Sequence, residues 1–206
     1  MGAESPEVLG DRFYDLLEAS AEEAGHSVRL LAGFLKVRSD STEDLAAVRR
    51  KSEQIAAEIG STLARTIMAG LQRDDIQGLS RVLRTIPERV EKLAGRHLLA
   101  RDRLADLDFS PPVEPLGTAV ETLDAMVHQL RAFANLETTQ PLNSRLQDAA
   151  DRAETLLEGV VREVYRRQDD PLKLVIVKDL ADQIQSIIDA CRDAGNLVLR
   201  VVLKYA

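Results

Sequence analysis

The chain has no tryptophan, only 3% aromatic residues and a single cysteine, Cys191. One thiol cannot close an internal disulfide or build a thiolate zinc cluster, which excludes a disulfide scaffold and the cysteine-rich zinc folds. Long apolar runs are also missing. Leu172 to Val177 is interrupted by Lys173, and Leu197 to Leu203 by Arg200. Both stretches fall far short of the ~20 apolar residues a membrane span requires. The opening MGAESPEVLGDRFYDLLEAS has neither the basic nor the apolar region of a signal peptide, which predicts a cytoplasmic protein. Any membrane role is expected to be peripheral, at the inner face. No basic excess exists either: 27 lysines and arginines face 34 acids, giving a formal charge of -7. A phosphate backbone would meet net repulsion, so nucleic acid is excluded as a partner. Glycine-rich phosphate loops, zinc motifs and nucleophile elbows are absent, and no reaction is expected of this chain.

What the sequence does have is helix-forming material. Ala, Leu, Val, Arg, Glu and Asp dominate its 206 residues, enough to bury roughly 70% of the unfolded surface. Apolar residues recur three and four apart nearly from end to end, so the expected fold class is all-α. The first helix is predicted from Val8 to Val37, with Phe13, Leu17, Ala24, Val28, Leu31 and Leu35 on its buried face. Ser39 to Thr42 interrupts it, and Thr42 is the expected cap of a second helix from Thr42 to Leu71. That helix should bury Leu45, Val48, Ile55, Ile59, Leu63 and Ile67.

A third helix, Asp74 to Leu107, carries a coiled-coil heptad of Ile76, Leu79, Leu83, Ile86, Val90, Leu93, His97, Ala100 and Leu104. Pro87 lies within it and predicts a kink near Leu83 to Pro87. The proline-dense stretch Phe109 to Pro115 reads as a linker between halves. Three further helices are expected at Leu116 to Glu137, Pro141 to Gln168 and Pro171 to Tyr205. Ile76, Leu79, Leu83, Ile86 and Glu88 match Val177, Leu180, Ile184, Ile187 and Asp189 in spacing, which suggests a duplicated three-helix unit. The predicted architecture is an elongated six-helix bundle of two units, 1-109 and 110-206, packed as one elongated domain. Helices of about 30 residues span about 45 Å and should cross near 20°.

Several separated segments are similar to one family. They are DPLKLVIVK at 170-178, DACRDAGN at 189-196, VLKYA at 202-206, FYDLLE at 13-18 and RDDI at 73-76. Together they resemble the PhoU-like phosphate-transport regulators, in particular the small branch found beside Pit-type phosphate permeases. The resemblance implies two three-helix bundles and a regulator or accessory protein of phosphate transport. Its partner would be a phosphate permease or other membrane transporter, bound through helical surfaces. A homodimer with a purely structural role is a further reading.

The resemblance also implies clusters of iron or zinc held by Glu/Asp-x-x-x-Asp motifs. Acids at i and i+4 share a helix face, so two such helices can offer four oxygens to a cation. This sequence keeps one acid per motif. Glu53 is followed by Ala57, Glu88 is preceded by Arg84, Asp151 by Gln147 and Asp189 by Gln185. Asp189 and Asp193 form a new i, i+4 pair. The alternative function is therefore an iron- or zinc-binding bundle using Glu53, Glu88, Asp151, Asp189 and Asp193. The expectation is no cofactor, or a weakly held divalent or ferric metal.

The remaining candidates have plainer readings. Glu23-x-x-His26 has di-iron spacing but no second copy. His97 takes a heptad core position. Cys191 lies on the apolar face of the last helix as a small hydrophobe. Arg89, Arg96 and Arg103 repeat every seven residues and are expected to form an outward stripe on the third helix, with a patch for an acidic partner or anionic headgroups as the sharper reading.

Overall fold

The computed structural model describes residues 6–37, 39–65, 71–131, 135–167 and 170–206, with side chains from Asp11 onward. Every regular element among these residues is helical. The helices are α1 (Pro6–Val37), α2 (Glu43–Arg65), α3 (Arg73–Ala100), α4 (Ser110–Gln129), α5 (Leu136–Arg167) and α6 (Pro171–Tyr205), with a short 3₁₀ turn at Arg101–Leu104.

Local chemistry explains most of the boundaries. At the start of α2 the Thr42 carbonyl accepts the Ala46 N–H at 2.9 Å, which puts Thr42 at the cap position. The side chain that serves the helix start, however, is Ser41, whose Oγ accepts the Glu43 N–H at 3.2 Å. At α6 the Asp170 carboxylate accepts the Leu172 N–H at 3.3 Å, and Pro171 occupies the first helical position where its missing N–H costs nothing. Residues 66–70 of the predicted second helix, with Ile67, lie outside the described residues, and Leu71, its predicted end, is buried in the turn before α3.

The stretch expected to be a linker is helix. α4 starts at Ser110, whose N–H is taken by Asp108 Oδ1 at 2.8 Å, and Pro111 and Pro112 sit in its first turn. Proline is suited there because its φ is already helical and the first N–H groups have no intrahelical acceptor. Pro115 removes one later ladder bond, which the helix survives. The same holds in α5, which begins at Leu136 and not at Pro141. Asn135 caps it, its Oδ1 accepting from the Glu137 N–H at 2.9 Å. α4 correspondingly ends at Gln129, short of the predicted Glu137. The third helix also stops early, at Ala100, and tightens into the 3₁₀ turn. It runs unbroken through Pro87 as a single helix.

The predicted apolar faces are the buried ones. Phe13, Leu17, Ala24, Val28 and Leu31 of α1 pack inward, as do Ile76 through Leu93 of the α3 heptad. α1, α2 and α3 pack on one another, as do α4, α5 and α6, and the triplets join where α1 meets α4 and α3 meets α6. α2 and α5 therefore flank a central four-helix layer, and one contiguous aliphatic core runs through both triplets. Between α5 and α6 the approach is close: a methyl group on Gly195 would lie 2.8 Å from Asn143 Oδ1 and 2.9 Å from Leu146 Cδ1.

Successive helices run antiparallel, which gathers the short connections at two ends. At one end Arg167 and Lys173 both bind Asp106, at 3.1 and 2.8 Å, and Arg103 faces Asp170 at 3.5 Å. At the other, Lys204 Nζ and the Tyr205 hydroxyl each reach Asp75 Oδ2 at 2.8 Å, and the same hydroxyl accepts the Gln72 N–H. The last residues of the chain are thereby fastened to the start of α3.

Candidate functional site

The acids singled out in the sequence occupy two faces, one on the α2/α3 pair and one on the α5/α6 pair. On α2, Glu53 is bound by Arg49 one turn away on the same helix, and Arg49 also reaches across to Glu91 of α3. On α3, Glu88 faces Arg84 at 3.3 Å. Glu91 holds the Arg49 guanidinium above its ordinary pKa, with Glu53 adding to the effect.

The α5/α6 face has a related arrangement with a different owner of the positive charge. Arg192 of α6 lies between the helices. Its Nη2 is 2.5 Å from Asp151 Oδ1 and 2.7 Å from Glu154 Oε2, while its Nη1 is 3.8 Å from Asp189 Oδ1. Its side chain is 21% exposed, so the guanidinium is packed into the seam and not waving in solvent. Partial burial works against its charge, but the bonds to Glu154 and Asp151 outweigh that and raise its pKa. Gln185 Nε2 donates to Asp189 at 3.0 Å, and Gln147 Nε2 donates to Asn196 Oδ1 at 3.2 Å. Asp193 is exposed on α6.

A carboxylate metal centre needs several oxygens converging on one point roughly 2.0 to 2.6 Å away. Here each of the four surviving motif acids, Glu53, Glu88, Asp151 and Asp189, is already within reach of a guanidinium. Among the described residues no group of three or more His, Cys, Asp or Glu side chains is placed to hold a metal ion. The donor set therefore does not fit the metal clusters that the resemblance implies.

The histidines are likewise engaged. His26 Nδ1 is 4.0 Å from Glu23, a buried acid whose other oxygen is bound to Lys51 of α2 at 2.5 Å. His128 Nδ1 is 2.9 Å from the Asp124 carbonyl. His97 stands edge-on between Phe34 and Phe109, with ring centroids at 5.7 and 6.3 Å. It borders a cavity of about 560 Å³ at the end of the bundle, with Lys36, Arg101 and Asp108 on the rim. This cavity is not legible in the sequence, because it depends on where the 3₁₀ turn places Leu104, Leu107 and Phe109. Cys191 is fully buried, and desolvation pushes its thiol up to about 12.

The arginine stripe splits: Arg89 is half-buried against α6, while Arg96 and Arg103 are more than half exposed, as an outward stripe requires, and pair sideways with acids of the neighbouring segment. Arg89 donates to the Ser186 carbonyl and Arg96 faces Asp179 at 3.3 Å. Arg103 faces Asp170. A seven-residue repeat keeps a side chain beside the heptad seam, where a long aliphatic stem covers apolar surface and the head reaches the next helix. Several exposed apolar side chains lie toward the same end as the cavity, while Leu203 is exposed at the other. Val37 and Leu99 are 79% and 87% exposed, and Tyr165, Leu172 and Val175 stand nearby on α5 and α6. No described helix is long and apolar enough to cross a membrane.

No protein-family model matches the chain, and no curated protein sequence matches it. Solved structures do. A PhoU-like protein from Shewanella oneidensis MR-1 superposes with a TM-score of 0.79 at 12% identity, covering 93% of this chain and 99% of that one. A second protein of the same organism, described as a PhoU-like phosphate regulatory protein, gives 0.70 at 12% identity over 97% and 100% of the two chains. The fold of this chain, over nearly its whole length, is that of the PhoU-like helical bundles.

Proposed function

We propose that the chain is a non-enzymatic regulator or accessory protein of inorganic phosphate transport, acting at the inner face of the membrane on a Pit-type permease. One observation carries this reading: the likeness to PhoU-like proteins, one of them described as phosphate regulatory, spans nearly the whole of both chains. The surface is consistent with such a role. Long helical faces and the exposed Val37, Leu99, Tyr165, Leu172 and Val175 at one end supply contact area for the cytoplasmic loops of a transporter. Deleting the gene and following phosphate and arsenate uptake at low and high external phosphate tests the proposal. A change in uptake at one of these levels, restored by the gene in trans, is expected. Unchanged transport at both would overturn it.

A further inference from the structure

Two carboxylate faces that the sequence resemblance would furnish with metal are each threaded by an arginine. On α5/α6, the space between the surviving motif acids Asp151 and Asp189 contains the Arg192 guanidinium, which also takes Glu154. On α2/α3, Arg49 spans Glu53 and Glu91, while Arg84 neutralises Glu88. Each bridging arginine thus binds an acid on its own helix and at least one on the neighbour, the cross-linking geometry a multivalent cation would supply. A guanidinium does this with a planar fork of donors and a charge that does not titrate away.

The positions where a second motif acid would stand reinforce the point. Gln185 presents an N–H to Asp189, and Gln147 presents one to Asn196. The first occupies an Asp189 oxygen that a metal would need, and the second pairs two amides where the motif would set acids. A divalent or ferric ion entering the α5/α6 face would have to displace Arg192 from three carboxylates and then sit beside its charge.

We infer that Arg192 and Arg49 are the resident cations of the two carboxylate faces, replacing metal as the cross-link between α5 and α6 and between α2 and α3. This bracing is independent of the transport reading, since it concerns what holds the bundle together, whichever partner the bundle serves.

The test uses the purified full chain. Protein prepared without chelator is expected to hold less than about a tenth of an equivalent of metal, and its Tm to move by less than about 1 °C with EDTA or with millimolar Mn²⁺ or Zn²⁺. A full equivalent of metal, or a metal-dependent rise of more than about 3 °C, would overturn the inference. Arg192→Gln removes the guanidinium and leaves the acids; its Tm is expected to fall by about 2–8 °C. It should also acquire a stabilisation by Mn²⁺ that the parent lacks, and a second change, Asp151→Asn, should abolish that response. Loss of Tm with no Mn²⁺ response would mean that Arg192 is an ordinary surface brace and not a cation in a metal's place. If Arg192→Gln does not fold, Arg192→Lys serves. A point charge that cannot fork over three acids should lower the Tm while still excluding Mn²⁺, and a lysine variant that gains Mn²⁺ binding counts against the inference.

Discussion

Gly195→Ala is the substitution that best probes the seam between α5 and α6, because two opposing effects can be separated by a matched control. In a helix interior, glycine to alanine contributes about 1 kcal/mol of stability through propensity alone. Gly159 is exposed on α5, and a methyl group added there would have nothing within 4 Å, so Gly159→Ala should show that gain undiluted. The expected rise is about 2–4 °C in Tm. At Gly195 the same methyl would meet Asn143 Oδ1 at 2.8 Å and Leu146 Cδ1 at 2.9 Å, against the 3.4–4 Å of ordinary contact. Leu146 is completely buried and has little room to turn into. Asn143 is held by its bond to Asn196 at 3.3 Å. Overpacking of this kind costs about 1–3 kcal/mol. Since propensity is common to both variants, Gly195→Ala should melt about 2–12 °C below Gly159→Ala. Differential scanning calorimetry of the two proteins measures the gap. Adding Leu146→Ala to both backgrounds should narrow it, because it removes one of the two clashing groups. Equal melting temperatures for the two glycine variants would refute the close approach of these helices.

Two further outcomes follow from buried and paired groups. Cys191, with its thiol pushed up to about 12 by burial, should be inert to an aromatic disulfide reagent at about pH 8 and titrate as one thiol after denaturation; rapid labelling of the native protein would contradict the packing of α6. Two carboxylates should shift the acid limb of stability in opposite senses. Asp106, held below its ordinary 3.8 chiefly by Lys173, adds stability that is present above that value and is lost as the pH falls through its lower native pKa, so Asp106→Asn should destabilise at neutral pH and match the parent in strong acid. Asp124, raised above 3.8 chiefly by desolvation, carries a penalty above its native pKa that fades as the pH falls toward 3.8. Asp124→Asn should therefore stabilise at neutral pH and lose that advantage in acid. Both groups are more than a third exposed, so each effect should stay below about 1 kcal/mol in denaturation curves taken from about pH 3 to 8.

Much of this fold can be read from the chain because its signals are local and repetitive. The α3 heptad from Ile76 to Leu93 is buried where a 3.5-residue period puts it, and Asp170-Pro171 starts α6 as a cap and first-turn proline should. Expectation and structure part where a local cue has two meanings. Pro111, Pro112 and Pro115 suit a linker, but they equally suit the first turns of a helix, and burial of Phe109 and Val113 decides in favour of the helix. Pro141 suits a helix start, yet Asn135, a good cap six residues earlier, has the stronger claim. The site is less legible than the fold. Glu53, Glu88, Asp151 and Asp189 can be placed on helix faces by counting, but the guanidinium that meets Asp151 and Glu154 comes from another helix. No spacing along α5 reveals it. The partners of Arg89, Arg96 and Arg103 are hidden for the same reason: periodicity tells which residues share a face, and only the packing of α6 and its start tells what those residues meet.

The two triplets share an apolar pattern and differ in where they place charge, and that difference bears on how the bundle avoids misassembly. The shift that lays Ile76 on Val177 also lays Glu91 on Arg192. In the first triplet the outer helix α2 carries the bridging arginine and α3 the acid; in the second α6 carries the arginine and the outer helix α5 the acids. Suppose α2 docked against α6 in place of α3, a substitution their similar heptads would tolerate. Arg49 would then approach Arg192. The converse error, α5 against α3, would bring Asp151 and Glu154 toward Glu91. Each mispairing would part an arginine from its acids and set like charges side by side, which disfavours it. The apolar stripes thus bring the six helices together, and the exchanged charges favour the observed neighbours over the swapped ones.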